Sequence, residues 1–145
     1  MSLFKYTTDV ESDKTAVQIA KCLSMHGASA IMTEYDQADG YVTSLSFKIK
    51  IDDKEMAFRL PCDWKPVQVI LENDSKVSRR YKSREQAVRV AWRIVQAWVE
   101  AQMALVETKM VSTQQVFLPY AVMRNGQTLS EHIAQNPEML LGDGK

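Results

Sequence analysis

Two cysteines, two histidines and five glycines are a thin supply of the residues that most site chemistries need. Two cysteines, Cys22 and Cys62, cannot build a disulfide framework, and reduced thiols point to a cytoplasmic compartment. Few glycines leave little to make a phosphate-cradling loop, and neither a dinucleotide-binding nor a Walker-type pattern occurs. The strained elbow Gly-x-Ser-x-Gly is missing as well. A closed zinc site takes about four ligands. Cys22 and His26 share one helical face, but the sequence places no others beside them. Asp52 and Asp53 are adjacent acids in what reads as a hairpin turn, where solvated aspartate is ordinary. These gaps predict a non-enzymatic protein with no cofactor and no metal. No stretch approaches the roughly 18 apolar residues of a membrane span, and the first residues lack the apolar core of a secretory signal. Net charge is zero, which argues against a protein that coats nucleic acid with its whole surface.

What is present is globular. Apolar residues make up 46% and charged residues 25% of 145 residues, enough to bury one core without covalent help. No repeat, linker or low-complexity tract divides the chain, which predicts one domain over 1–145.

The hydrophobic pattern predicts an α+β fold. Ala16, Ile19, Ala20 and Leu23 form one helical stripe, with Ser12 expected as its N-cap and Gly27 as its stop. A three-stranded antiparallel meander is expected next, with strands near 28–35, 41–51 and 55–60. Leu45, Phe47, Ile49 and Ile51 alternate with Ser44, Ser46, Lys48 and Lys50, so one sheet face is apolar and the other polar and mildly basic. Asp63 caps a short helix over 64–73. Ser83 and Gln86 have capping-box spacing before a long central helix over 84–110. Val88, Trp92, Val95, Val99 and Met103 line its core face. Ser112 with Gln115 and Thr128 with Glu131 repeat the capping-box spacing, and short C-terminal helices follow each. Pro119 stops the first, and the second covers 129–135. The run Phe117-Leu118-Pro119-Tyr120 is a bend that packs the C-terminal part on the domain, or an exposed interaction motif.

Charge is unevenly placed. Residues 1–73 hold eight bases and eleven acids, and 74–145 hold ten bases and seven acids. Within 76–93 stand Lys76, Arg79, Arg80, Lys82, Arg84, Arg89 and Arg93, with Glu85 the one acid. Arginine forks bind phosphates, and Tyr81 among them offers a ring on which a base can stack. This segment is the candidate nucleic-acid-binding site, for DNA or RNA. The competing readings are a solvated loop with Glu85 paired to Arg89, or contact with an acidic protein partner.

The order of helix, three strands and helix resembles the double-stranded RNA-binding domain, although Ser83-Arg84-Glu85-Gln86-Ala87 departs from that family's lysine-rich helix start. The stretch from Arg84-Glu-Gln-Ala-Val-Arg-Val-Ala-Trp-Arg to Val116-Phe-Leu-Pro-Tyr, with Ala57-Phe-Arg-Leu-Pro61, is similar to short uncharacterised proteins of bacteriophages and mobile elements. That resemblance implies a small accessory protein in a bacterial cytoplasm and carries over no site residues. Two functions compete: nucleic-acid binding through 76–93, and regulation or inhibition of a host protein.

Overall fold

The structure is a computed structural model that describes residues 2–142. Eight main elements run in the order α1 (Ser12–Met25), β1 (Ala28–Tyr35), β2 (Val42–Ile51), β3 (Lys54–Arg59), α2 (Trp64–Asn73), α3 (Arg84–Glu107), α4 (Thr113–Phe117) and α5 (Leu129–Gln135). Short 3-10 turns cover Arg79–Tyr81, Leu118–Tyr120 and Pro137–Met139. The fold is α+β, with an antiparallel sheet ordered β1-β2-β3.

The meander follows from side-chain period. Leu45, Phe47, Ile49, Phe58 and Leu60 are buried, and Met56 is half-buried beside them. Lys48 and Lys50 face water. Phe47 lies opposite Phe58 across the β2–β3 pair, and the rings stack at 5.3 Å. The two-residue turn between those strands needs positive φ at both positions. Asp52 and Asp53 adopt it, at 51° and 64°, and aspartate tolerates that region better than most residues.

Helices α1 and α3 cover the sheet's apolar face. Trp92 is 1% exposed at the centre. Its indole N–H donates to the Val42 carbonyl at 3.1 Å, so the ring is buried without stranding its one donor. Ala16, Ile19 and Leu23 of α1 join Val88, Val95, Val99 and Met103 of α3 in the same hydrophobic cluster. The C-terminal part closes the far end. Phe117 is fully buried, edge-on to both Phe47 and Trp98. Beyond it Ala121 bridges Phe58, and the Val122 amide donates to the Ala57 carbonyl at 2.8 Å. The outer edge of β3 is thereby partly covered.

Three expectations about helix ends need correction. Ser12 does not cap α1. Glu11 is the N-cap residue, with no side-chain cap, and Ser12 is the first helical residue, turned into the core. The capping box expected at α3 is half formed. The Ser83 hydroxyl accepts the Gln86 amide at 3.1 Å. The Gln86 side chain instead donates to the Tyr6 and Thr8 carbonyls, both at 2.8 Å, and so pins the N-terminal lead-in to the helix. Finally, α3 stops at Glu107 rather than 110, because Lys109 takes a left-handed turn at φ 63°. The boxes at Ser112/Gln115 and Thr128/Glu131 are complete.

Candidate binding surface

The basic segment is split by its surroundings. Arg84 lies 2.7 Å from the Asp39 carboxylate and 3.5 Å from that of Asp36. Both acids come from the β1–β2 turn, some 45 residues earlier in the chain. The Arg84 guanidinium also sits 4.9 Å from the centre of the Trp64 ring and 5.7 Å from that of Tyr41. It ties the start of α3 to the start of α2 and to the sheet turn. Arg89 is held by Glu11 at 2.5 Å and Glu85 at 2.6 Å. Arg93 donates to Gln96 at 2.5 Å, and Gln96 donates on to Gln18 of α1 and Glu100. These three arginines therefore knit α3 to its neighbours.

The remaining cations lie on the loop between α2 and α3. Lys76, Arg79 and Arg80 are exposed and make no salt bridge among the described residues. Tyr81 is half-buried, edge-on to Tyr6 at 5.7 Å, with the Arg80 guanidinium 4.7 Å from its ring centre. The ring thus anchors the loop to the N-terminal lead-in. Lys82 reaches the Glu72 carbonyl at 3.4 Å, while its own carbonyl accepts the Gln68 amide at 3.3 Å. The loop consequently runs along one flank of α2.

That helix is unusual in what it shows to water. Leu71 is its one fully buried residue. At helical spacing, Pro66, Val69 and Ile70 share the side opposite Leu71, and Val69 and Ile70 are 54% and 49% exposed. A solvent-facing helix side is ordinarily polar. Here the outward stripe carries Pro66, Val69 and Ile70 before it ends on Asn73, with Lys65 and Glu72 also exposed and Lys82 of the basic loop bonded along one flank.

The alternative motif at 117–120 is divided between core and surface. Phe117 is buried and Tyr120 lies edge-on to Trp98 at 5.5 Å, leaving Leu118 and Pro119 exposed. The sheet's solvent face holds a groove of about 390 Å³ over Ser46 and Ala57, walled by Met32, Arg59 and Val122. Alternation along the strands could not reveal it, since Val122 and Gly126 arrive from the distant C-terminal part.

Burial and hydrogen bonds set the surroundings of Cys22, Cys62 and His26. Burial pushes the Cys62 thiol up to about 12. Burial, with Glu100 and Glu107 nearby, also raises Cys22. His26 Nδ1 lies 2.7 Å from the Cys22 carbonyl and Nε2 lies 2.6 Å from the Glu107 carboxylate. Two acceptors demand two ring protons, so the backbone bond and then Glu107 raise the His26 pKa. The group clamps the end of α1 to the end of α3. Among the described residues no cluster of three or more His, Cys, Asp or Glu side chains is placed to hold a metal ion. No described helix is long and apolar enough to cross a membrane.

No protein-family model, no curated protein and no solved structure matches the chain.

Proposed function

We propose that this chain is a non-enzymatic accessory protein that binds a partner protein through the outward face of α2 and the basic loop beside it. The observation that supports this most is the stripe of Pro66, Val69 and Ile70, which turns apolar surface to water where a helix is ordinarily polar. Interfaces of this kind pair an apolar centre with a charged rim. Val69 and Ile70 supply the centre, and Lys76, Arg79 and Arg80 supply a rim of one sign. The fitting partner is an acidic segment with an apolar face.

A second reading rests on the loop alone. Three exposed cations without a salt bridge among the described residues suit the backbone of DNA or RNA. On this reading Arg84 and Arg89 are structural, and Tyr81 supports the loop instead of stacking a base. Three phosphate contacts give a slope of about −2 to −3 in log K against log[salt].

Two variants separate the readings. Val69→Gln/Ile70→Gln removes the apolar centre, and Lys76→Ala/Arg79→Ala/Arg80→Ala removes the rim. Each is compared with wild type as bait in a bacterial lysate, and any captured protein is purified and bound again alone. Nucleic acids are titrated in parallel at two salt concentrations. The protein reading expects the first variant to weaken the purified pair by tenfold or more. Unchanged partner binding by that variant, with salt-steep nucleic-acid binding lost only in the triple variant, would reject it in favour of the second reading.

A further inference from the structure

The sheet has one uncovered edge. β2 is central, and β3 is partly shielded by Ala121 and Val122. Among the described residues β1 pairs only with β2, so the opposite side of β1 presents its backbone amides and carbonyls to solvent. Natural edges are commonly defended by lysine, proline, bulges or short length. Here pairing irregularities fall between Ala28 and Ala30 and between Glu34 and Tyr35. The stretch between them, Ala30-Ile31-Met32-Thr33-Glu34, is regular and contains no lysine, arginine, proline or glycine. Its outward-facing Met32 is 57% exposed. Its inward-facing Ile31 packs against the core yet stays only half-buried, because no further strand covers it.

We propose that this edge joins a second copy of the chain, β1 against β1 in antiparallel pairing about a two-fold axis at Met32, to make a continuous six-stranded sheet. The segment is complementary to itself in that register. Antiparallel partners keep their faces matched only when the paired numbers have the same parity, since a slip of one residue inverts a strand. Centring on Met32 satisfies this. Met32 meets Met32 of the second copy on the solvent face, and Ile31 meets Thr33 of the second copy on the core face, which covers the half-buried isoleucine.

Charge selects this centre over the next allowed one. Glu34 makes no salt bridge among the described residues, and Lys48 has only Glu55 at 3.9 Å. With the axis at Met32, Glu34 falls opposite Ala30 of the second copy. Ala30 in turn pairs with Lys48 within its own sheet. The two charged side chains then approach over a small alanine, with backbones about 10 Å apart. Centring on Ile31 instead sets Glu34 opposite Ala28, beyond the irregularity and out of the Lys48 row. A regular edge of five residues spans about 17 Å. Such an interface lies at the small end of specific ones, which predicts a concentration-dependent dimer, not a permanent one.

The test is sedimentation of the full chain over a wide concentration range. Wild type should shift from monomer to dimer. Met32→Lys sets two ammonium groups face to face at the axis and should raise the dissociation constant at least tenfold. Because Met32 is exposed, the circular dichroism and melting of that variant should match wild type. Glu34→Lys and Lys48→Glu should each weaken the dimer, and the double exchange should restore it. A wild type that stays monomeric at its highest soluble concentration overturns the proposal, as does a Met32→Lys variant that dimerises like wild type. Failure of the double exchange to rescue overturns the pairing about Met32.

Discussion

Phe117 should be worth far more to this protein than its place in a short surface-bound helix suggests. It is fully buried, edge-on to Phe47 at 5.2 Å and to Trp98 at 5.4 Å, and tilted against Phe58 at 6.2 Å. Phe117→Ala removes one ring from a set of four drawn from β2, β3, α3 and α4. Core Phe→Ala changes cost about 3–5 kcal/mol, more where the site cannot collapse. Collapse is opposed here, because Phe47 and Phe58 sit on hydrogen-bonded strands and Trp98 on a long helix. Lost edge-to-face contacts add to the cavity term, at about 0.5–1.5 kcal/mol per pair. The expected loss is therefore about 4–5 kcal/mol, a large part of the roughly 5–15 kcal/mol that holds an ordinary domain together. Phe117→Leu keeps most of the volume and should cost about 1.5 kcal/mol. Urea unfolding followed by tryptophan fluorescence reads both, with an unchanged slope showing that the same transition is observed. A loss below about 1.5 kcal/mol for the alanine variant would refute the account of this cluster.

Further predictions concern single contacts. Gln86→Ala should cost about 1–3 kcal/mol, because it strands the Tyr6 and Thr8 carbonyls; hydrogen exchange should then quicken over residues 3–10 while the sheet stays protected. His26 has a raised pKa when folded, so its contribution is complete below its ordinary value near 6.5 and fades as pH rises through the raised one. Thermal melts should show wild type losing about 1 kcal/mol or less over that rise, with His26→Gln flat across it. Both thiols have raised pKa values, Cys62 up to about 12, so a thiol reagent at neutral pH should label the native protein slowly and the urea-unfolded protein fast. Rapid native labelling of Cys62 would contradict its placement.

The fold could be read from sequence wherever a short-range rule decided it. Alternation over Leu45 to Ile51 requires one buried strand face. The spacing of Val88, Trp92, Val95 and Val99 requires one buried helix face. The proline and turn residues at 61–63 and 125–126 marked boundaries for equally local reasons. The misses have the opposite cause. Gln86 has the spacing of a capping box, but residues 6 and 8 compete for its amide from outside the helix. Ser12 is a good cap by type, yet its place on the helix stripe turns it inward. In both cases a tertiary contact outbid a local preference.

The same division explains why the basic segment was only partly legible. A count of charges along 76–93 assumes that each cation meets the acids nearest in sequence. Glu85 obeys that assumption and pairs with Arg89 four residues on. Asp36, Asp39 and Glu11 do not, since folding carries them from the first third of the chain to Arg84 and Arg89. A surface cation is available to a ligand only if its own fold leaves it without a carboxylate, and that condition depends on pairings across more than 40 residues. Folding pairs Arg84 and Arg89 with carboxylates, sets Arg93 on Gln96 and Lys82 on the Glu72 carbonyl, and leaves Lys76, Arg79 and Arg80 without a salt bridge among the described residues. What it adds is invisible to charge counting: the outward stripe of Val69 and Ile70 becomes exceptional only once Leu71 is known to face the core. A helix with apolar residues on both sides reads in sequence as a buried one. The structure buries one side and exposes the other, and the loop that follows the helix carries the three exposed cations without a salt bridge among the described residues.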